Sequence, residues 1–207
     1  MKWKTILVLF LIVLSIFIIY MLNIDRDVYY VNINNLNYEN DMYDKYIVDY
    51  LNSTKKLEKY IDVQEKDYRI TDLIRDIEMN KQINDKQTLQ NALIKADILT
   101  VKMGDNELDY KIDTSEINEL FEYCDTLLKD MENLFVILRK YCKEDIYFLG
   151  LYNSHSDYYD EIYNYLNLKI EDLCKDFDIH FISAFNLTED EENIRISENI
   201  IENDMFD

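Results

Sequence analysis

Proline is absent from the 207 residues and glycine occurs only twice, where average usage of about 5% and 7% would give roughly ten and fourteen. No linker, internal repeat or low-complexity tract interrupts the chain, and each glycine, Gly104 and Gly150, becomes a position that needs a reason. Cysteine is scarce too. Cys124, Cys142 and Cys174 are odd in number and not closely spaced, which excludes a disulfide framework and a zinc site. On one predicted helix, Cys124 and Cys142 would lie roughly 27 Å apart, too far to pair, so Cys124 reads as a buried inert thiol. Only two histidines are available as bases. Basic residues number 22 against 42 acidic ones, a formal charge of −20, which repels phosphate backbones and argues against a nucleic-acid partner.

What is present is enough to fold. Apolar residues reach 48% and aromatics 14%, which suits one globular domain with a single core. Lys2 and Lys4 precede an uncharged apolar run, Ile6 to Leu22, long enough to cross most of a bilayer. The run has no small-residue cleavage site, so it reads as a retained anchor. Positive charge before it places the N-terminus in the cytoplasm and the rest outside. The expected organisation is a transmembrane anchor over residues 1–24 and one extracytoplasmic domain over residues 25–207 of a single-pass membrane protein.

Within that domain, four short apolar runs read as strands: Val28 to Ile33, Ile98 to Met103, Ile146 to Leu151 and Ile179 to Ile182. Helical periodicity is clearest from Ser115 to Tyr141, with further stretches at Tyr158 to Lys175 and Met42 to Tyr60 and shorter ones at Ile70 to Met79 and Lys86 to Lys95. Buried strands separated by helices predict a parallel sheet covered on both faces, a three-layer α/β/α sandwich. Ligands of such sheets sit beyond the carboxyl ends of the strands, where both glycines fall. There, each either ends a strand or lets a ligand or neighbouring backbone approach. The stretch Glu189 to Glu192 reads as a solvated acidic segment.

Residues 92 to 108, ALIKADILTVKMGDNEL, resemble the third conserved block of the SGNH/GDSL hydrolases, in which a strand ends in Gly-x-Asn-Asp. Residues 146 to 162, IYFLGLYNSHSDYYDEI, and residues 67 to 77, DYRITDLIRDI, resemble two further segments of the same bacterial proteins. The resemblance implies a flavodoxin-like fold with five parallel strands in the order 2-1-3-4-5. It also makes Gly104 and Asn106 oxyanion positions, the asparagine being a fixed neutral donor near the attacked carbonyl.

The departures bear on function. Where the family carries Gly-Asp-Ser, this chain has Asn34-Asn35-Leu36, with no hydroxyl to attack an acyl carbon. The glycine of the second block falls on Asp67, whose carboxylate opposes a developing negative charge. The last block, Asp-x-x-His-Pro, aligns with Glu198, Ile201 and Glu202, leaving no imidazole. His180 lies in the apolar run IHFISAF and reads as a packing or edge residue. His155, in Asn153-Ser154-His155-Ser156-Asp157, follows the third strand on the crevice side and is the candidate recruited base; the same run also reads as a turn into a helix. A serine esterase without nucleophile and base loses most of its rate.

The expectation is a non-catalytic, membrane-tethered domain with a binding, scaffolding or regulatory role at the cell envelope, its crevice open to a protein partner or a small envelope ligand. One alternative is an esterase or acetyl-ester hydrolase with a rearranged site built from His155 and Asn106, with Asp105 or Glu107 assisting. Another is an unrelated α/β interaction protein acting through its acidic surface. No cofactor or metal is expected, because neighbouring carboxylates such as Asp105 and Glu107 arise without function in so acidic a chain.

Overall fold

A computed structural model describes residues 27–35, 43–153, 155, 157–183 and 197–201. The proposed span at residues 6–22, Leu36, Glu202 and the acidic stretch Glu189 to Glu192 lie outside them. Five parallel strands make the main sheet: β1 (Val28–Asn34), β2 (Leu57–Gln64), β5 (Ile98–Lys102), β6 (Asp145–Leu149) and β7 (His180–Ile182). Their order is β2-β1-β5-β6-β7, which in sheet strands alone is the expected 2-1-3-4-5. A small antiparallel ribbon, β3 (Gln82–Asn84) and β4 (Gln87–Thr88), stands apart from it.

Strand β1 is buried along its whole length because it is sandwiched on both faces. Tyr29, Val31 and Ile33 point into the larger core layer, and Val28 and Tyr30 into the smaller. The larger layer is covered by α2 (Ile70–Glu78), α3 (Leu89–Lys95), α4 (Asp105–Thr114), α5 (Ile117–Tyr141) and α6 (Asp160–Asp176). The smaller is covered by α1 (Tyr43–Ser53) and by Ile200, which belongs to a helical turn at residues 197–201. The long helix α5 buries Leu120, Cys124, Leu127, Met131, Leu134, Phe135 and Leu138, the stripe that its sequence period requires. Beneath α1, the buried Asn32 has both ends of its amide satisfied. Its Oδ1 accepts from Tyr43 Oη and Thr100 Oγ1, each at 2.8 Å, and its Nδ2 donates to Asp62 at 3.0 Å.

Two expectations need correction, and one helix was not foreseen. The stretch Met42 to Tyr60 is not one helix: α1 ends at Ser53, Lys55 turns with φ 59°, and the edge strand β2 begins at Leu57. The helix expected from Lys86 begins only at Leu89, because Gln87 and Thr88 pair in the ribbon. Helix α4 has no counterpart in the sequence reading, since Leu108 and Ile112 are the only hydrophobic side chains it buries. His180, as expected, is an edge residue. It stacks on Tyr147 with ring centroids 4.8 Å apart and lies 3.5 Å from Asp145, at the amino end of the sheet.

Candidate functional site at the carboxyl edge of the sheet

The carboxyl ends of β1 and β5 lie side by side, Asn34 in register with Lys102 on one side and with Gln64 of β2 on the other. Asn34 and Asn35 therefore stand at the carboxyl end of β1, where the resemblance implies a nucleophile. Both are buried, and the side-chain amide of Asn35 has no hydrogen-bond partner. An orphaned buried amide costs free energy. Lys102 and Asp105 are also fully buried at this edge. The sequence reading passed over Lys102, although a lone lysine closing the apolar run ILTV was a signal that the strand ends in something other than core.

Gly104 links β5 to α4 with φ 111°, a conformation that L side chains rarely adopt. A Cβ there would also lie 2.5 Å from the Met131 methyl carbon and 3.2 Å from Leu151. Close packing on α5 and the strained turn thus explain this glycine. Gly150 has a similar reason, since a Cβ would meet Phe181 at 2.8 Å and Asn167 at 3.0 Å. Asn167 in turn accepts from the Leu151 N–H and donates to the Leu151 carbonyl, each at 2.8 Å, and so pins the loop after β6.

In the first turn of α4, the Asn106 side chain donates to the Tyr68 carbonyl at 3.0 Å. One of its two N–H groups is thereby spent on the backbone beside Asp67. The Glu107 Oε1 accepts from the Ile70 N–H at 2.6 Å and so caps α2. Burial pushes the Glu107 carboxyl above its ordinary range, opposed by that backbone hydrogen bond. Asp67 itself is exposed and adopts φ 58°, the backbone shape of the glycine that the resemblance implies there. The third block and the residues around Asp67 are therefore brought together.

His155 lies on the loop after β6. Its Nε2 is 3.1 Å from Asp109 Oδ1, and Tyr163 Oη donates to the same oxygen at 3.1 Å. The Tyr159 ring packs edge-on against the imidazole at 5.9 Å. Asp109 and Tyr163 are partners that sequence reasoning missed, because one lies on the unforeseen α4 and the other on a buried stripe of α6. The imidazole makes no pairing with a serine, threonine or cysteine among the described residues. All three cysteines are free and buried, and burial pushes Cys124 and Cys142 up to about 11 and Cys174 up to about 12. None is a thiolate at neutral pH.

At the C-terminal end, Glu198 is exposed and Ile201 half-buried in the helical turn at residues 197–201, where Ile200 is the side chain sunk into the core. Neither Glu198 nor Ile201 has a described contact with the Asn34, Asn106 or His155 positions. A pocket of about 180 Å³ opens at the end of β2. It holds Lys81, which is bound to Glu65 and, at 2.7 Å, to Asp76. No group of three histidine, cysteine or carboxylate side chains is placed to hold a metal ion among the described residues.

With this geometry, the chain has the fold of SGNH/GDSL hydrolases. A lipase from a goat rumen metagenome superposes with a TM-score of 0.62 at 13% identity, covering 83% of this chain and 95% of the lipase. An acetylxylan esterase from Geobacillus stearothermophilus gives 0.59 at 11% identity, with coverages of 86% and 94%. A GDSL-like lipase from Bacteroides thetaiotaomicron gives 0.53 at 13% identity, with coverages of 84% and 86%. No protein-family model matches the sequence, and no curated protein matches it.

Proposed function

We propose that the chain is a membrane-anchored, extracytoplasmic SGNH/GDSL-fold domain that no longer hydrolyses esters and serves in binding, scaffolding or regulation at the cell envelope. One observation carries this reading. At the end of β1, where the resemblance implies the nucleophile, Asn34 and Asn35 stand as buried amides where a serine would need an exposed hydroxyl. His180 supplies no base there, since it sits at the amino end of the sheet beside Asp145. The test is an assay of the full-length protein in detergent with 4-nitrophenyl acetate. Release of nitrophenol should not exceed that of buffer, and turnover abolished by His155→Ala would overturn the proposal.

A second reading is favoured by the His155–Asp109 contact itself. A carboxylate on Nε2 orients an imidazole and leaves Nδ1 as the base, so water in place of a side chain could attack an envelope ester or a glycan acetyl group, with Asn106 as the oxyanion donor. The acetylxylan esterases among proteins of this fold make an acetyl ester the substrate to try. The same assay separates the two, since only this reading gives a rate that falls with Asp109→Asn as well as with His155→Ala.

A further inference from the structure

The helix pair on the larger layer carries a feature that the crevice does not explain. Helices α2 and α5 both run from the carboxyl edge of the sheet to its amino edge, and they leave between them an open groove of about 410 Å³. Ile74 from α2, with Val136 and Ile137 from α5, makes the apolar part of its lining, and Thr71 and Asn133 line it as well. Val136 is 52% exposed, and Met79, just past the end of α2, is 75% exposed. Its two ends are acidic. Asp130 lies level with the start of α2, since Ile70 and the neighbouring Met131 both reach the Gly104 position, and Glu78 closes the last turn of α2. Eight positions of helix separate Ile70 from Glu78, which puts the two levels roughly 12 Å apart along the groove, within side-chain reach of cations two turns apart on a facing helix.

Among the described residues no ion pair joins either carboxylate to a cation, and Arg69, which flanks the start of α2, stands over the Tyr110 ring at 5.5 Å. Asp130 has no ion pair or hydrogen bond among the described residues, although burial raises its carboxyl above the ordinary range. The nearest guanidinium on α2, Arg75, is held by Asp72 at 2.8 Å and Asp76 at 3.5 Å. At the far end of α5, Arg139 is committed to the carbonyls of Phe177, Glu144 and Asp178. We propose that this groove is the docking site for an amphipathic helix of a partner protein that carries cationic residues seven positions apart, with apolar residues between them. Such a helix fills the floor with its apolar side chains and sets one cation on each carboxylate. A second copy of this chain, at −20, and its own acidic stretch Glu189 to Glu192 bring the wrong sign. This inference stands whether or not the crevice hydrolyses esters.

The test uses the full chain in detergent and a fluorescein-labelled 14-residue alanine-based peptide, with lysines at positions 3 and 10 and leucines at 6 and 7. Anisotropy titration should give saturable binding, which Val136→Lys and the double variant Asp130→Asn/Glu78→Gln should each weaken by roughly tenfold or more. Removing two charges elsewhere, with Glu191→Gln/Glu192→Gln, should leave the affinity within about twofold, because a general electrostatic effect is screened and not positional. Circular dichroism checks that each variant is folded; both groove variants alter exposed or half-buried side chains. The proposal fails if no saturable binding is seen, if a peptide with glutamates at positions 3 and 10 binds equally, or if the tail variant loses as much affinity as the groove variant. It also fails if sedimentation finds a dimer that Val136→Lys dissolves, since the face would then be a contact between copies.

Discussion

Glu107 shows how one substitution reshapes the edge of this fold. It stands where the resemblance implies an aspartate, and its extra methylene lets the carboxylate reach the Ile70 N–H at the start of α2. A negative charge there suits the helix dipole, yet burial works against the ionised form and raises its pKa. A group whose folded pKa is raised contributes stability below the unfolded value, near 4.5, and loses it as pH rises through the folded value. The Glu107→Gln variant keeps an acceptor for Ile70 without the buried charge. Urea midpoints of the full chain, taken between about pH 4.5 and 7.5, should therefore fall for the parent relative to Glu107→Gln as pH rises. Glu107→Ala, which orphans the Ile70 N–H, should cost about 1–3 kcal/mol at every pH. If parent and Gln variant stay parallel across that range, the carboxyl is not held up by burial.

At the scale of elements, the turn from β5 into α4 is the joint on which the edge depends. Gly104 has both a left-handed backbone and a side-chain space already taken by Met131, so Gly104→Ala strains the turn and crowds the core together. The expected loss is about 1–3 kcal/mol, read as a lower urea midpoint; a variant of unchanged midpoint would show that α5 gives way at Met131. The sequence marked this joint because glycine is so rare that its position was informative. The central strands were legible for a related reason: Val28 to Ile33 and Ile98 to Met103 are buried on both faces and read as mostly apolar runs, broken by Asn32, Thr100 and Lys102. Strand β2 was not, because it lies at the sheet edge and carries Glu58, Lys59 and Asp62 alongside its inward Ile61 and Val63. Those charges blunt an edge strand and mask its alternation in the sequence. Helix α4 hid behind too few apolar residues, and with it went Asp109, the partner of His155. Pairings such as His155 with Asp109 join residues 46 apart, a relation that only the sheet order brings about.

For the whole molecule, the consequence to test is orientation. If residues 6–22 span the bilayer, a tether of only five residues, Asn23 to Asp27, joins the span to the start of β1. Fully extended, it reaches roughly 17 Å. The amino edge of the parallel sheet must then face the membrane, since all five strands begin there, and the crevice at the carboxyl edge must point away from it. With the full chain in nanodiscs containing phosphatidylglycerol, mild acetylation should modify Lys55 and Lys56 several-fold more slowly than in detergent micelles. Lys66, just past the carboxyl end of β2, should react at the same rate in both. Equal protection of Lys56 and Lys66 would mean that the domain tumbles on its tether, and a chain that leaves membranes in alkaline carbonate would remove the anchor itself.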